Sequence, residues 1–167
     1  MRLTDAIMAI PSLLFALMII AVLGSSSINA VLAIGIAFAP GMARIARSVT
    51  LQVRSLDYVA AAKARGESLG WIVAAEILPD TIAPVIVEGT IRVAFAIMTL
   101  ATLSFLGLGA QPPDPEWGLM IAEARDHLFR SPWPVAVPGA AIAIVAIGFN
   151  LLGDGLRDVL NPKTAET

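Results

Sequence analysis

The chain has no cysteine and a single histidine, His127, among its 167 residues. Disulfides, thiolate metal sites and cysteine nucleophiles are therefore excluded, and a lone histidine cannot pair with another to hold a metal or relay protons. No GxxxxGK[ST] occurs, so the chain has no phosphate-binding loop of its own. Charge is scarce too, at 14% of residues, where a soluble domain carries about one in four. The net charge of −2 and the lack of any Lys/Arg cluster exclude nucleic acid as a partner. Asp114, Glu116, Glu123 and Asp126 lie close in sequence but match no ligand spacing, so they read as a solvated face rather than a calcium or nickel site. No metal, no cofactor and no catalytic residue is expected.

What the chain does have is apolar surface. Hydrophobic residues make up 57% of it and the mean hydropathy is +0.83, which places it in a bilayer. Four segments are candidates to cross one. Residues 6–23 carry no charge and are just long enough, with Pro11 near the start. Residues 28–43 are uncharged but short, and with Gly35, Pro40 and Gly41 they are expected either to bend or to run on past Arg44. Residues 81–106 are longer and hold two charges, Glu88 and Arg92, while residues 135–152 are uncharged with Pro138 near one end. Proline and glycine are tolerated in such helices because neighbouring helices and water satisfy the freed backbone groups. The expected fold is an all-α, polytopic membrane bundle of about four transmembrane helices, forming one unit over residues 1–167. The first span could also be read as a cleaved signal peptide, since Arg2 precedes it and small residues follow; its long apolar run and the further spans favour a retained helix.

Four spans put both termini and the connection 44–80 on one side. That side holds Arg2, Arg44, Arg47, Arg54, Lys63, Arg65, Arg157 and Lys163, eight of the eleven Lys and Arg, whereas the other holds Arg125 and Arg130. Positive residues stay in the cytoplasm, so both termini and the connection are expected there. Trp71 on the inner side and Trp117 and Trp133 on the outer fit interfacial anchors, and residues 116–128 are expected to form a short helix over the outer mouth.

The cytoplasmic connection contains "YVAAAKARGESLGWIVAAEILP" at residues 58–79. A helix is expected from Ser55 as its cap, with Asp57 in the first turn, Lys63 and Arg65 suited to the last, and Gly66 supplying the left-handed residue that ends it. A second helical run, 71–78, is expected to stop before Pro79. Ala60, Ala61, Ala62 and Ala64 make the first helix thin. From composition alone it fits a narrow groove on another protein or a place on the membrane surface equally well.

This stretch resembles the cytoplasmic signature of binding-protein-dependent ABC importer permeases, written EAA, three residues, Gly, nine residues, Ile-x-Leu-Pro. Ala61, Ala62, Gly66, Leu78 and Pro79 stand at matching positions, whereas Ala60 replaces the glutamate and Glu76 the isoleucine. "RLTDAIMAIPSLL" at 2–14, "LSFLGLGAQPPDPEWG" at 103–118 and "GDGLRDVLNP" at 153–162 resemble the dipeptide/oligopeptide/nickel subgroup in the family's order. The resemblance implies a transmembrane subunit of an ATP-driven importer in a bacterial or archaeal inner membrane. Its implied partners are cytoplasmic ATP-binding subunits, a second permease subunit that is a different chain, an extracytoplasmic substrate-binding protein and membrane lipid. It also implies that Asp57, Tyr58, Ala61, Ala62, Gly66, Leu78 and Pro79 couple the chain to the ATPase. Family members have six spans, two of them before the point where this chain starts, so Met1 reads as an internal or misassigned start or a truncation. A secondary transporter fragment and a non-transporting membrane scaffold are the rival classes.

On a helix of 3.6 residues per turn, Thr81, Glu88, Arg92, Thr99 and Thr102 share a face roughly 80° wide. Each charge in lipid would cost roughly 2.5–3.5 kcal/mol, so neither Glu88 nor Arg92 should face acyl chains. The two are spaced to pair on one helix face. A buried pair joining this helix to a neighbour is an equal competitor to a role in the translocation pathway. The threonines, which extend the stripe outward, favour the pathway.

Overall fold

The structure is a computed structural model that describes residues 2–160; Met1 and Lys163, which entered the reading of chain start and orientation, lie outside them. Among the described residues every regular element is helical. In chain order these are α1 (Arg2–Met8), α2 (Ser12–Leu23), α3 (Ser27–Arg54), α4 (Asp57–Ala64), α5 (Leu69–Trp71), a π-helical segment (Ile72–Ile77), α6 (Leu78–Phe105), α7 (Trp117–Ala124), a 3-10 turn (Arg125–His127) and α8 (Trp133–Leu160). Three stretches are long and apolar enough to cross a membrane: Ser27–Arg54, Leu69–Phe105 and Trp133–Leu160. The expected helical membrane bundle is what the chain forms.

The first expected span is divided. Pro11 adopts φ −53° and ψ 130°, and proline disfavours helix in the residue before it, so α1 ends at Met8 and α2 starts at Ser12. With 12 residues, α2 is about 18 Å long, short of the roughly 30 Å hydrocarbon thickness. It turns back tightly onto α3. The Asn29 amide donates to the carbonyls of Leu23 and Gly24, each at 2.9 Å, and its backbone N–H donates to the Ser26 hydroxyl at 3.2 Å, capping α3. Ala16 and Ile20 of α2 then bury against Ala30, Ala33, Ile34 and Ala37 of α3 and Leu103 of α6. Alanine at these positions lets the backbones approach closely, which is how helices associate without a hydrophobic drive between them.

The second span takes the longer of its two expected courses. α3 passes through Pro40 and Gly41 and on to Arg54. The third span also runs past its expected limit at its N-terminal end. Helix was expected to stop before Pro79, but α5, the π segment and α6 form one continuous run. Proline clashes with the carbonyl four residues back and offers no N–H. Widening the turn resolves this: the Leu78 N–H bonds to Val73 five residues back, and Pro79 falls in the first turn of α6. The connection 44–80 is thus mostly helix, with only residues 55–68 between the two long elements.

α6 packs between α3 and α8. Gly153 of α8 lies against Thr90 and Ile91, where an added Cβ would sit 3.6 Å from Ile91 Cγ1. The short helix expected over residues 116–128 appears as α7, which starts where the Glu116 carboxylate accepts from the Leu119 N–H at 3.1 Å. Gly118 brings it onto the α6 backbone, 2.8 Å from Ala101 Cα to an ideal Cβ.

Candidate functional site

Two parts of the molecule carry the sequence-derived site residues. The first is α4. Ser55 does not cap it; that residue ends α3, with its hydroxyl donating to the Gln52 carbonyl at 2.7 Å, and Leu56 stands at the N-cap without a side-chain bond. Competition explains the difference, because a serine just past a helix end can bond a carbonyl in that helix's last turn instead. The other end is as expected. Gly66 has φ +79°, its N–H bonds Lys63 O at 3.0 Å, and the Glu67 N–H bonds Ala62 O at 3.3 Å. This pair of bonds defines the left-handed glycine stop.

Val59 and Ala62 are completely buried and join Val53, Ile72 and Ile77 in a small core beneath α4. Asp57, Ala60, Ala61 and Ala64 face outward, at the spacing that puts residues on one helix face. Of the expected coupling residues, Asp57 and Ala61 lie on this outer stripe, Ala62 faces the chain's own core, and Leu78 and Pro79 are exposed at the foot of α6.

Polar contacts brace α4 against that foot. The Tyr58 hydroxyl donates to Asp80 Oδ2 at 2.5 Å. Bonding to the carboxylate, then partial desolvation, then the charges of Asp80 and Glu76 push the Tyr58 phenol from 10.0 up to about 12. Arg65 reaches Glu76 at 3.4 Å and Glu67 at 3.7 Å. Arg65 is half exposed, so these ion pairs add little stability. They do tie the end of α4 to the π segment, and this gives Glu76, a departure from the family signature, a partner.

The second part is a cavity of about 460 Å³ between the α1–α2 break, α3 and α6. Glu88, Arg92 and Thr99 line it together, with Pro11, Ser12 and Gly41 across from them. Thr81 is buried lower on α6 and Thr102 is exposed above the cavity; neither lines it. The hydroxyls of Thr81, Thr99 and Thr102 bond carbonyls of their own helix, at 3.0, 2.8 and 2.8 Å. Glu88 and Arg92 pair as their spacing predicts, Oε1 to Nε at 3.0 Å, each about a quarter exposed. Glu88 also lines a second cavity, about 960 Å³, between α6 and the end of α8 near Asp80 and Arg157.

Sequence reasoning missed Gly41. An ideal Cβ there would lie 2.9 Å from Arg92 Nη1 and 3.1 Å from Nη2, so the guanidinium occupies the space that the glycine leaves. The signal was present as a Pro-Gly step inside an apolar run, and it read as a bend.

The family model for the binding-protein-dependent transport system inner membrane component matches residues 1–166. The chain belongs to that family. It is 46% identical over 162 residues to a dipeptide transport system permease protein of Alkalihalophilus pseudofirmus, covering 97% of this chain and 53% of that one. It is 45% identical to a di/tripeptide transport system permease protein of Pseudomonas aeruginosa, over 98% of this chain and 54% of that one. A glutathione transport system permease protein of Pectobacterium atrosepticum is 42% identical over the same shares. The chain thus spans about half the length of the curated relatives it matches.

Proposed function

We propose that the chain is a transmembrane subunit of an ATP-driven importer for peptides or related small solutes, with α4 docking on a separate cytoplasmic ATPase. The observation that carries this reading is the build of α4. Its inner residues, Val59 and Ala62, are locked into the chain's core, while its outer stripe of Asp57 and alanines is bare and thin enough to enter a groove. A helix resting on a lipid surface would instead turn bulky apolar residues outward. Tyr58 and Gly66 hold the docked helix in place, and Leu78 and Pro79 pass its motion to α6. ATP hydrolysis belongs to the partner.

In this reading the end with α4, Arg44 and Arg157 faces the cytoplasm, as do both termini, in accord with the basic bias. Glu88, Arg92 and Thr99 line the pathway and Thr102 continues it outward. A second permease subunit completes the passage, and an extracytoplasmic binding protein delivers solute to the α7 side. The family assignment leaves the secondary-transporter and scaffold readings without support. Cysteine at Ala61 in the intact transporter should form a disulfide with an engineered cysteine in the ATPase groove, whereas cysteine at Ala62 should not. Equal cross-linking at both positions would refute the docking geometry.

A further inference from the structure

Arg92 lies at the midpoint of α6, a helix of 28 residues and so about 42 Å long. Its guanidinium has five N–H donors. Nε is 3.0 Å from Glu88 Oε1, yet its N–H is not directed at that oxygen, and among the described residues this buried nitrogen has no hydrogen-bond partner. The contact with Glu88 is therefore one of charge. Nη1 and Nη2 face the space that Gly41 leaves, in the cavity that both residues line, and no described residue accepts from them. A guanidinium whose two Nη atoms face the gap left at Gly41, beside that cavity and within a helix long enough to span a membrane, is costly unless an acceptor arrives.

We infer that Arg92, seated on Gly41, is a binding site for the terminal carboxylate of a peptide-like solute. Two parallel N–H···O bonds from one guanidinium match the shape of a carboxylate. The cavity, at about 460 Å³, falls within the range of small-molecule sites. Glu88 keeps the arginine charge balanced while the site is empty and repels a second anion, so the bound carboxylate is held only transiently, as a passage requires. Thr99, two turns outward on the same face, marks the route to the site. The inference rests on the pathway reading of this cavity and adds the chemical group that it selects.

The test uses the intact transporter reconstituted with its partners, carrying Thr99→Cys. Its modification by a neutral maleimide is timed with dialanine, with dialanine amide or with acetate present. Dialanine should protect at about tenfold lower concentration than its amide, the scale of one charge-assisted contact. Arg92→Gln should erase that difference. Gly41→Ala, which changes no charge but puts a methyl where the guanidinium sits, should reduce it, and Glu88→Gln should keep or enlarge it. Equal protection by dialanine and its amide would overturn the inference and leave the pathway reading standing. A cysteine that neither peptide protects while transport continues would overturn both. Acetate protecting as well as dialanine would make the site one for small anions and refute the assignment to peptides.

Discussion

Replacing Gly66 with valine isolates a single physical effect. The residue has φ +79°, and an added Cβ would meet nothing within 4 Å, so the penalty comes from the backbone and not from packing. A non-glycine residue held in the left-handed region costs about 1–3 kcal/mol, and β-branching places valine toward the upper end. At about 2 kcal/mol the helix-stop geometry falls roughly thirtyfold in population relative to competing geometries. The Glu67–Ala62 bond that ends α4 would be lost, along with the fixed distance from Arg65 to Glu76. The core formed by Val59 and Ala62 does not include Gly66, so the protein should still reach the membrane. In the intact transporter, solute-stimulated ATP hydrolysis should therefore drop about tenfold or more while the amount of subunit is unchanged. Asparagine, which tolerates the left-handed region, is the control and should restore most of the stimulation. If valine and asparagine behave alike, or if valine leaves stimulation intact, the backbone of Gly66 does not set the docking geometry.

The membrane orientation predicts that cysteines at Gln52 and Ser131 label from opposite faces of sealed vesicles; labelling of both by one impermeant reagent added outside would contradict it. Tyr58 is the chain's only tyrosine, so phenolate absorbance of the purified chain should titrate near pH 12, and Asp80→Asn should return it toward pH 10. Because the folded value is raised, the stabilisation from this bond is complete below about pH 10 and is lost as pH rises through about 12; a midpoint near 10 in the unaltered chain would refute the Tyr58–Asp80 bond. A cysteine at Ser104, which is fully buried with its hydroxyl accepting from the Ala110 N–H at 3.3 Å, should resist a water-borne reagent that modifies Thr99→Cys; the reverse order would remove the cavity from the aqueous route.

Three of the four apolar runs marked helices long enough to cross lipid, because burial in hydrocarbon demands apolar side chains, while the first was divided at Pro11. They could not mark where those helices end, since backbone hydrogen bonding continues into water without such side chains. α3 runs eleven residues beyond the uncharged stretch, from 43 to 54, the continuation past Arg44 that was one of its two expected courses. Gly66 was legible because one residue type satisfies its backbone angle. Ser55 was misread because two helix ends compete for one hydroxyl. The pairing of Glu88 with Arg92 followed from spacing along a single helix. Their meeting with Gly41 and the Pro11 break depends on how separate helices pack, and no local pattern encodes that. The π segment was hidden for a related reason: Pro79 announced a stop, and only the path of the chain shows that a widened turn lets the helix pass it.

That widened turn makes Leu69–Phe105 one continuous helical lever, with Pro84 inside it. At 37 residues it is about 56 Å long. Tyr58 and Arg65 grip it within a few residues of Pro79, and Arg92 lies fifteen residues beyond Ile77, about 22 Å along the rod. A tilt of about 10° about the gripped end would sweep Arg92 sideways by about 4 Å, with the arm length set by the helical rise. The guanidinium rests 2.9 Å from where a Gly41 Cβ would stand, so a stroke of that size would lift it clear of its seat. A nudge to α4 at one end of the rod and the release of a carboxylate midway along it would then be a single mechanical event.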